Sequence, residues 1–121
     1  GYFYHASIVA DKLLEKDSTS CNYHYRRGYI YLDLSSDFIK ALPHLQKASA
    51  NVDRNFDMYS ANEKSAPTDV YFHLGRCYHL MEDIDNAEKY AFLPFSPGTN
   101  TSISILVPEF IIICFTWLAD N

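Results

Sequence analysis

Apolar side chains return every three or four residues through most of this chain, the spacing of helices that bury one face. Over 4–16 that period is kept by Ala6, Val9, Ala10, Leu13 and Leu14, and Asp17-Ser18-Thr19-Ser20 stops it and offers caps for the next helix. This second helix is predicted over 21–34, a turn with an N-cap at Ser35-Ser36-Asp37, and a third helix over 38–50 with Leu42, Leu45 and Ala48 on one side. Pro43 lies inside that third helix. An interior proline costs on the order of 3 kcal/mol, so the pattern predicts a kink there or a helix that is regular only beyond it. Residues 51–65 are polar, and Phe56, Met58 and Tyr59 are the side chains expected to pin them to the helices. Pro67 is placed to open the next helix, with Asp69 in its first turn at the positive end of the dipole.

The chain echoes itself. Tyr25-Arg26-Arg27-Gly28-Tyr29-Ile30-Tyr31 matches Phe72-His73-Leu74-Gly75-Arg76-Cys77-Tyr78, and Asp37-Phe38-Ile39-Lys40-Ala41 matches Asp83-Ile84-Asp85-Asn86-Ala87. Glycine and alanine are thirteen residues apart in the first copy and twelve in the second, so one extra residue is expected in the first turn. Small residues at Gly75 and Ala87 let two helices approach, while Tyr71, Leu74 and Tyr78 fill the space around them.

Tyr71, Leu74-Gly75, Tyr78 and Ala87 at these offsets resemble the tetratricopeptide repeat. The resemblance covers Ala6 to Tyr90 as half a repeat, a full repeat with an insertion at 51–65, and a nearly full repeat. It implies an all-α solenoid of antiparallel helix pairs, about two and a half repeats over 1–92, acting as a protein–protein scaffold. The phrases Ala41-Leu42-Pro43-His44-Leu45-Gln46-Lys47-Ala48 and Ala66–Leu80 further resemble the N-terminal repeats of Gram-negative envelope proteins that continue into a β-propeller and an OmpA-like domain. That resemblance implies a periplasmic or outer-membrane-associated fragment of a larger protein. Neither a propeller nor an OmpA-like sequence is present here, so peptidoglycan binding is not carried over.

After Tyr90 the pattern breaks at Phe92-Leu93-Pro94-Phe95-Ser96-Pro97-Gly98. The apolar run 103–118 then contains Pro108 and Glu109 and favours strand as much as helix. Residues 93–121 stand outside the repeat, either as a cap on its open end or as a non-native continuation. The run is shorter than the about 20 residues of a spanning helix. A membrane-tethered protein anchored by this tail is nevertheless the alternative reading of function.

Composition narrows the choice. A net charge of −5 with no basic stripe argues against a nucleic-acid partner. Ten tyrosines and eight phenylalanines among 121 residues suit helix seams or a contact surface. The cysteines at 21, 77 and 114 are odd in number and cannot all pair within the chain.

Candidate chemistry is sparse. His73 and Cys77 share a helix face, yet no further pair completes a zinc set, so no metal is expected. Cys77 beside His73 or His79 is the nearest approach to a catalytic pair, and no catalytic residue and no cofactor is assigned. Glu82, Asp83 and Asp85 lack the glycine and terminal glutamate of a calcium loop and read as a solvated turn with an N-cap. The residues expected to bind a protein or peptide segment are Asn22, Tyr25, Tyr29 and Asp33 on one helix and Asp69, Phe72, Arg76 and His79 on another. Their spacing lines one face of each helix, and the repeat sets the two faces side by side.

Overall fold

The computed structural model describes residues 2–93, and the tail 94–121, with its apolar run, lies outside them. Five α-helices follow one another: α1 Tyr2–Lys16, α2 Cys21–Tyr29, α3 Phe38–Ala48, α4 Asp69–Leu80 and α5 Ile84–Phe92. No strand occurs among the described residues, and none of their helices is long and apolar enough to cross a membrane. The fold class is all-α.

Two short reversals pair the helices. Ser36 and Glu82 both adopt left-handed backbone, with φ of 55° and 62°, and each precedes an aspartate cap. The Asp37 carboxylate accepts from the Lys40 N–H at the start of α3, and the Asp83 carboxylate accepts from the Asn86 N–H at the start of α5. The repeated Asp is thus a cap used twice, and it sets α2 against α3 and α4 against α5. The extra residue of the first copy is not in the turn. It is absorbed one step earlier, where α2 runs on into a π-helical turn at Ile30–Leu34. A π turn takes in one residue more per turn without ending the helix.

The core lies between α3 and α4. Leu45, Val70, Leu74 and Cys77 are wholly buried there, joined by Ala41, Ala48 and Ala66. At the α2–α3 crossing a methyl built on Gly28 would stand 2.7 Å from Leu45 Cγ, so only glycine fits without a shift. α3 continues through Pro43, whose side chain is exposed. The carbonyl it cannot serve belongs to Ile39, itself an exposed residue, so water can take the place of the missing donor.

α1 is held by one buried cation. Arg27 is 6% exposed and pairs through Nε with Asp11 at 2.9 Å. It also donates to Ser7 Oγ at 3.0 Å and to Tyr31 Oη at 2.8 Å, and its guanidinium lies 3.9 Å over the Tyr31 ring. A buried charge satisfied this fully is tolerated, and it fixes where α1 sits.

The insertion is a loop closed at its base. Val52 and Ala66 form a parallel bridge, with the Ala66 N–H donating to Asn51 O at 2.8 Å and the Asp53 N–H to Ala66 O at 2.9 Å. Phe56 packs edge-on against Tyr25 at 6.3 Å, as a pinning residue should. Tyr59 does not pin the loop, because it is 89% exposed at the tip. α4 begins at Asp69 rather than at Pro67. The Pro67 and Thr68 carbonyls accept from Val70 and Tyr71 three residues on, a tighter turn that leads into the helix.

Candidate functional site

A groove of about 1000 Å³ opens between α1, α2 and the inserted loop. One wall is the α1 face carrying Tyr2, His5, Ala6, Val9, Ala10 and Leu13. The opposite wall is Tyr25, Tyr29, Ile30 and Leu34, and Phe56, Met58, Pro67 and Asp69 close one end. The lining is mostly apolar, and Tyr2, Val9, Tyr29 and Met58 are all exposed within it.

The structure divides the eight expected binding residues. Tyr25, Tyr29 and Asp69 are brought together in the groove. Asn22 is corrected: it is 3% exposed, its side-chain amide donates to Glu63 O at 3.1 Å, and its Oδ1 accepts from Arg26 Nε at 3.0 Å. It anchors the inserted loop, whose Glu63 carbonyl takes up its side-chain amide and leaves it no exposed surface to speak of. Asp33 and Arg76 join each other, with Arg76 Nη1 2.7 Å from Asp33 Oδ1, and so tie the π turn to α4. Arg76 also stands 5.9 Å from the Phe72 ring centre. Phe72 and His79 lie along α4, outside the groove lining.

Sequence reasoning missed the α1 wall and Met58. The signal for α1 was present, since Tyr2, His5, Val9 and Leu13 step by three, four and four. It was hidden because Val9 and Leu13, with Ala6 and Ala10 beside them on the same wall, read as the face that a helix buries in its own bundle. Met58 reads in sequence only as a residue pinning the loop, and nothing there places it in a groove; its carbonyl accepts from Arg26 Nη2 at 2.9 Å.

Electrostatics set the groove's character. Arg26 spends its donors on Asn22 and Met58, whereas Asp69 forms no ion pair among the described residues. Burial, and then the charge of Asp69, raise the Tyr25 hydroxyl further above its usual range. The neighbouring Asp33 carboxylate raises that of Tyr29. Both rings therefore present neutral hydroxyls. Burial pushes the Cys77 thiol up to about 12, which disfavours the thiolate that a nucleophile or metal ligand requires. Among the described residues no three His, Cys, Asp or Glu side chains stand together so as to hold a metal ion.

Behind the groove lies a histidine pair. His24 Nε2 is 2.7 Å from the Ser18 carbonyl, which can only accept, so that nitrogen carries a proton. When the His24 ring is neutral its Nδ1 accepts from His44 Nδ1 at 3.1 Å, and the His44 ring stacks on Tyr31. Burial, followed by the charges of His24 and Arg27, lowers His44 to about 4. Burial also lowers His73. Between pH 6.5 and 4 the unfolded chain takes up protons that the fold refuses, so stability is full above that window and falls as pH drops through it. The urea midpoint is therefore expected to decline from about pH 7 to about pH 4.5, and less steeply in His44→Gln. An unchanged slope in that variant would assign the decline to other groups.

Comparison with family models, with curated proteins and with solved structures returns no match.

Proposed function

We propose that this chain is a non-catalytic interaction module built of tetratricopeptide-like repeats, a part of a larger cell-envelope scaffold that holds a protein segment on its inner surface. The repeat resemblance supports the solenoid reading, together with the two Asp-capped helix pairs it anticipates. The observation that carries the binding reading is the groove itself. Large exposed apolar side chains gathered in one concavity mark contact sites, whereas singly scattered ones do not. Tyr29, at 41% exposed, is the side chain best placed to be an anchor.

Site-specific photo-crosslinking tests this. A photoreactive phenylalanine analogue at position 29 is expected to capture a discrete protein in the cells that make this chain. The same group at position 40, on the outer face of α3, is expected to capture none. Tyr29→Ala should weaken that capture about tenfold, the effect of a hot spot worth about 1–2 kcal/mol, with the circular dichroism spectrum of the folded protein unchanged. If positions 29 and 40 capture alike, the groove is not the binding site.

A further inference from the structure

α2 occupies a seat made by two other helices. It meets α3 where Gly28 lies on Leu45. It meets α4 where Tyr25 and Tyr29 reach the His73 ring, at 6.0 and 5.5 Å, and where the π turn's Asp33 reaches Arg76. The internal repeat puts α1 in the place of α3 and α2 in the place of α4. Ala6 and Ala10 keep the four-residue spacing of Ala41 and Leu45, and Arg27 and Tyr31 correspond to Leu74 and Tyr78. The ties between helices keep the same register. Tyr31 is joined to Asp11 of α1 through Arg27, and Tyr78 Oη accepts from Gln46 of α3 at 2.9 Å. The seat that α2 fills between α3 and α4 thus has a counterpart between α1 and α2, and that counterpart is the groove.

Resting on the reading of this groove as a protein-binding site, we infer that it takes an amphipathic helix of a partner protein, antiparallel to α1, with a basic side chain in its first turn beside Asp69. The dimensions agree. From Tyr2 to Leu13 the α1 wall runs about 16 Å, and a helix about 10 Å wide over that length fills on the order of 1000 Å³, against about 1000 Å³ in the groove. The charges agree as well. Asp69 is at the end where a helix antiparallel to α1 begins, and it is the lining carboxylate without an ion pair among the described residues. A cation and the positive end of a helix dipole both suit that place. The seat also differs from its counterpart in one respect. Ala10 stands where α3 has Leu45, so the incoming helix needs no glycine and has room for a large apolar residue.

The test uses a fluorescent peptide of residues 21–34, the sequence that fills the equivalent seat, carrying Cys21→Ser, Asn22→Lys and Gly28→Leu. Titrated with the full chain, it is expected to show a saturable rise in anisotropy. Val9→Glu in the protein, at a site 58% exposed, should weaken binding at least tenfold with an unchanged circular dichroism spectrum. Asp69→Lys should weaken it several-fold at low salt. Restoring Gly28 in the peptide should weaken it as well. Absence of saturable binding, or equal binding by the Val9→Glu protein, overturns the inference. So does equal binding of a peptide with Arg27→Pro, which cannot complete a helix. A dimer of this chain that Val9→Glu dissociates would give the seat to a second copy and would likewise overturn the partner. If the peptide fails while position 29 still crosslinks to a protein, the helical occupant alone is wrong. If both fail, the groove reading falls with it.

Discussion

Leu45→Ala is expected to cost about 2–5 kcal/mol, toward the upper end of that range. Leu45 is wholly buried at the centre of the α3 face, under α2 and within the cluster that includes Val70 and Leu74. Removing a buried leucine forfeits its transfer energy and leaves a void whose cost depends on how far the neighbours relax. Here relaxation is limited from above, because the residue lying on Leu45 is Gly28 and has no side chain to swing into the space. A domain of this size holds on the order of 10 kcal/mol in all. The change should therefore lower the melting temperature by roughly 10 °C or more. Denaturant titration measures it directly. A loss below about 1 kcal/mol would mean that α2 and α3 do not meet at this contact.

Gly28→Val is expected to cost about 3 kcal/mol, by the opposite mechanism. The first added carbon would stand 2.7 Å from Leu45 Cγ, 2.8 Å from Leu45 Cδ2 and 3.4 Å from the Ala41 carbonyl. Leu45 cannot turn away, since it has no exposed surface. Valine is the better helix former, but only by a few tenths of a kcal/mol, too little to offset a clash of this size. Gly28→Ala should lose less, because alanine recovers about 1 kcal/mol of helix propensity. The two sites should also compensate. Gly28→Ala combined with Leu45→Ala is expected to be more stable than the two single losses added together, by about 1 kcal/mol or more, since the new methyl enters the void left by the leucine. Strict additivity would place the two residues out of contact.

The proposed binding surface is a harder case than the core. Helix periodicity places Tyr25 and Tyr29 on one helix face and Asp69 on another, and the groove lining includes all three. Asn22 was legible as a position on the same stripe but not as a buried one, because its burial comes from Glu63, forty-one residues away. Arg76 reads as a free cation in sequence and becomes a tie to Asp33 only when the π turn brings that carboxylate within 2.7 Å. Contacts between side chains so far apart along the chain leave no periodic trace. The histidine pair behind the groove is hidden for the same reason, since His24 and His44 stand on different helices.

By itself, the sequence determined the elements that depend on neighbours three or four residues away. These are the five helices, the two aspartate caps, the small residues at the helix crossings and the pairing they impose. Such features are local: a cap needs only the N–H three residues on, and an apolar stripe needs only the helical pitch. Tertiary structure alone decided where the extra residue of the first copy went, since turn and π helix can both absorb it and packing selects between them. It also decided which face of α1 stays uncovered. The apolar face of α1 reads in sequence as a buried one, and nothing local to the helix says whether a neighbour covers all of it. Arg27, drawn to Asp11 and Ser7 of α1 and to Tyr31, sets the rotation that leaves Tyr2, His5, Val9 and Leu13 lining an open groove.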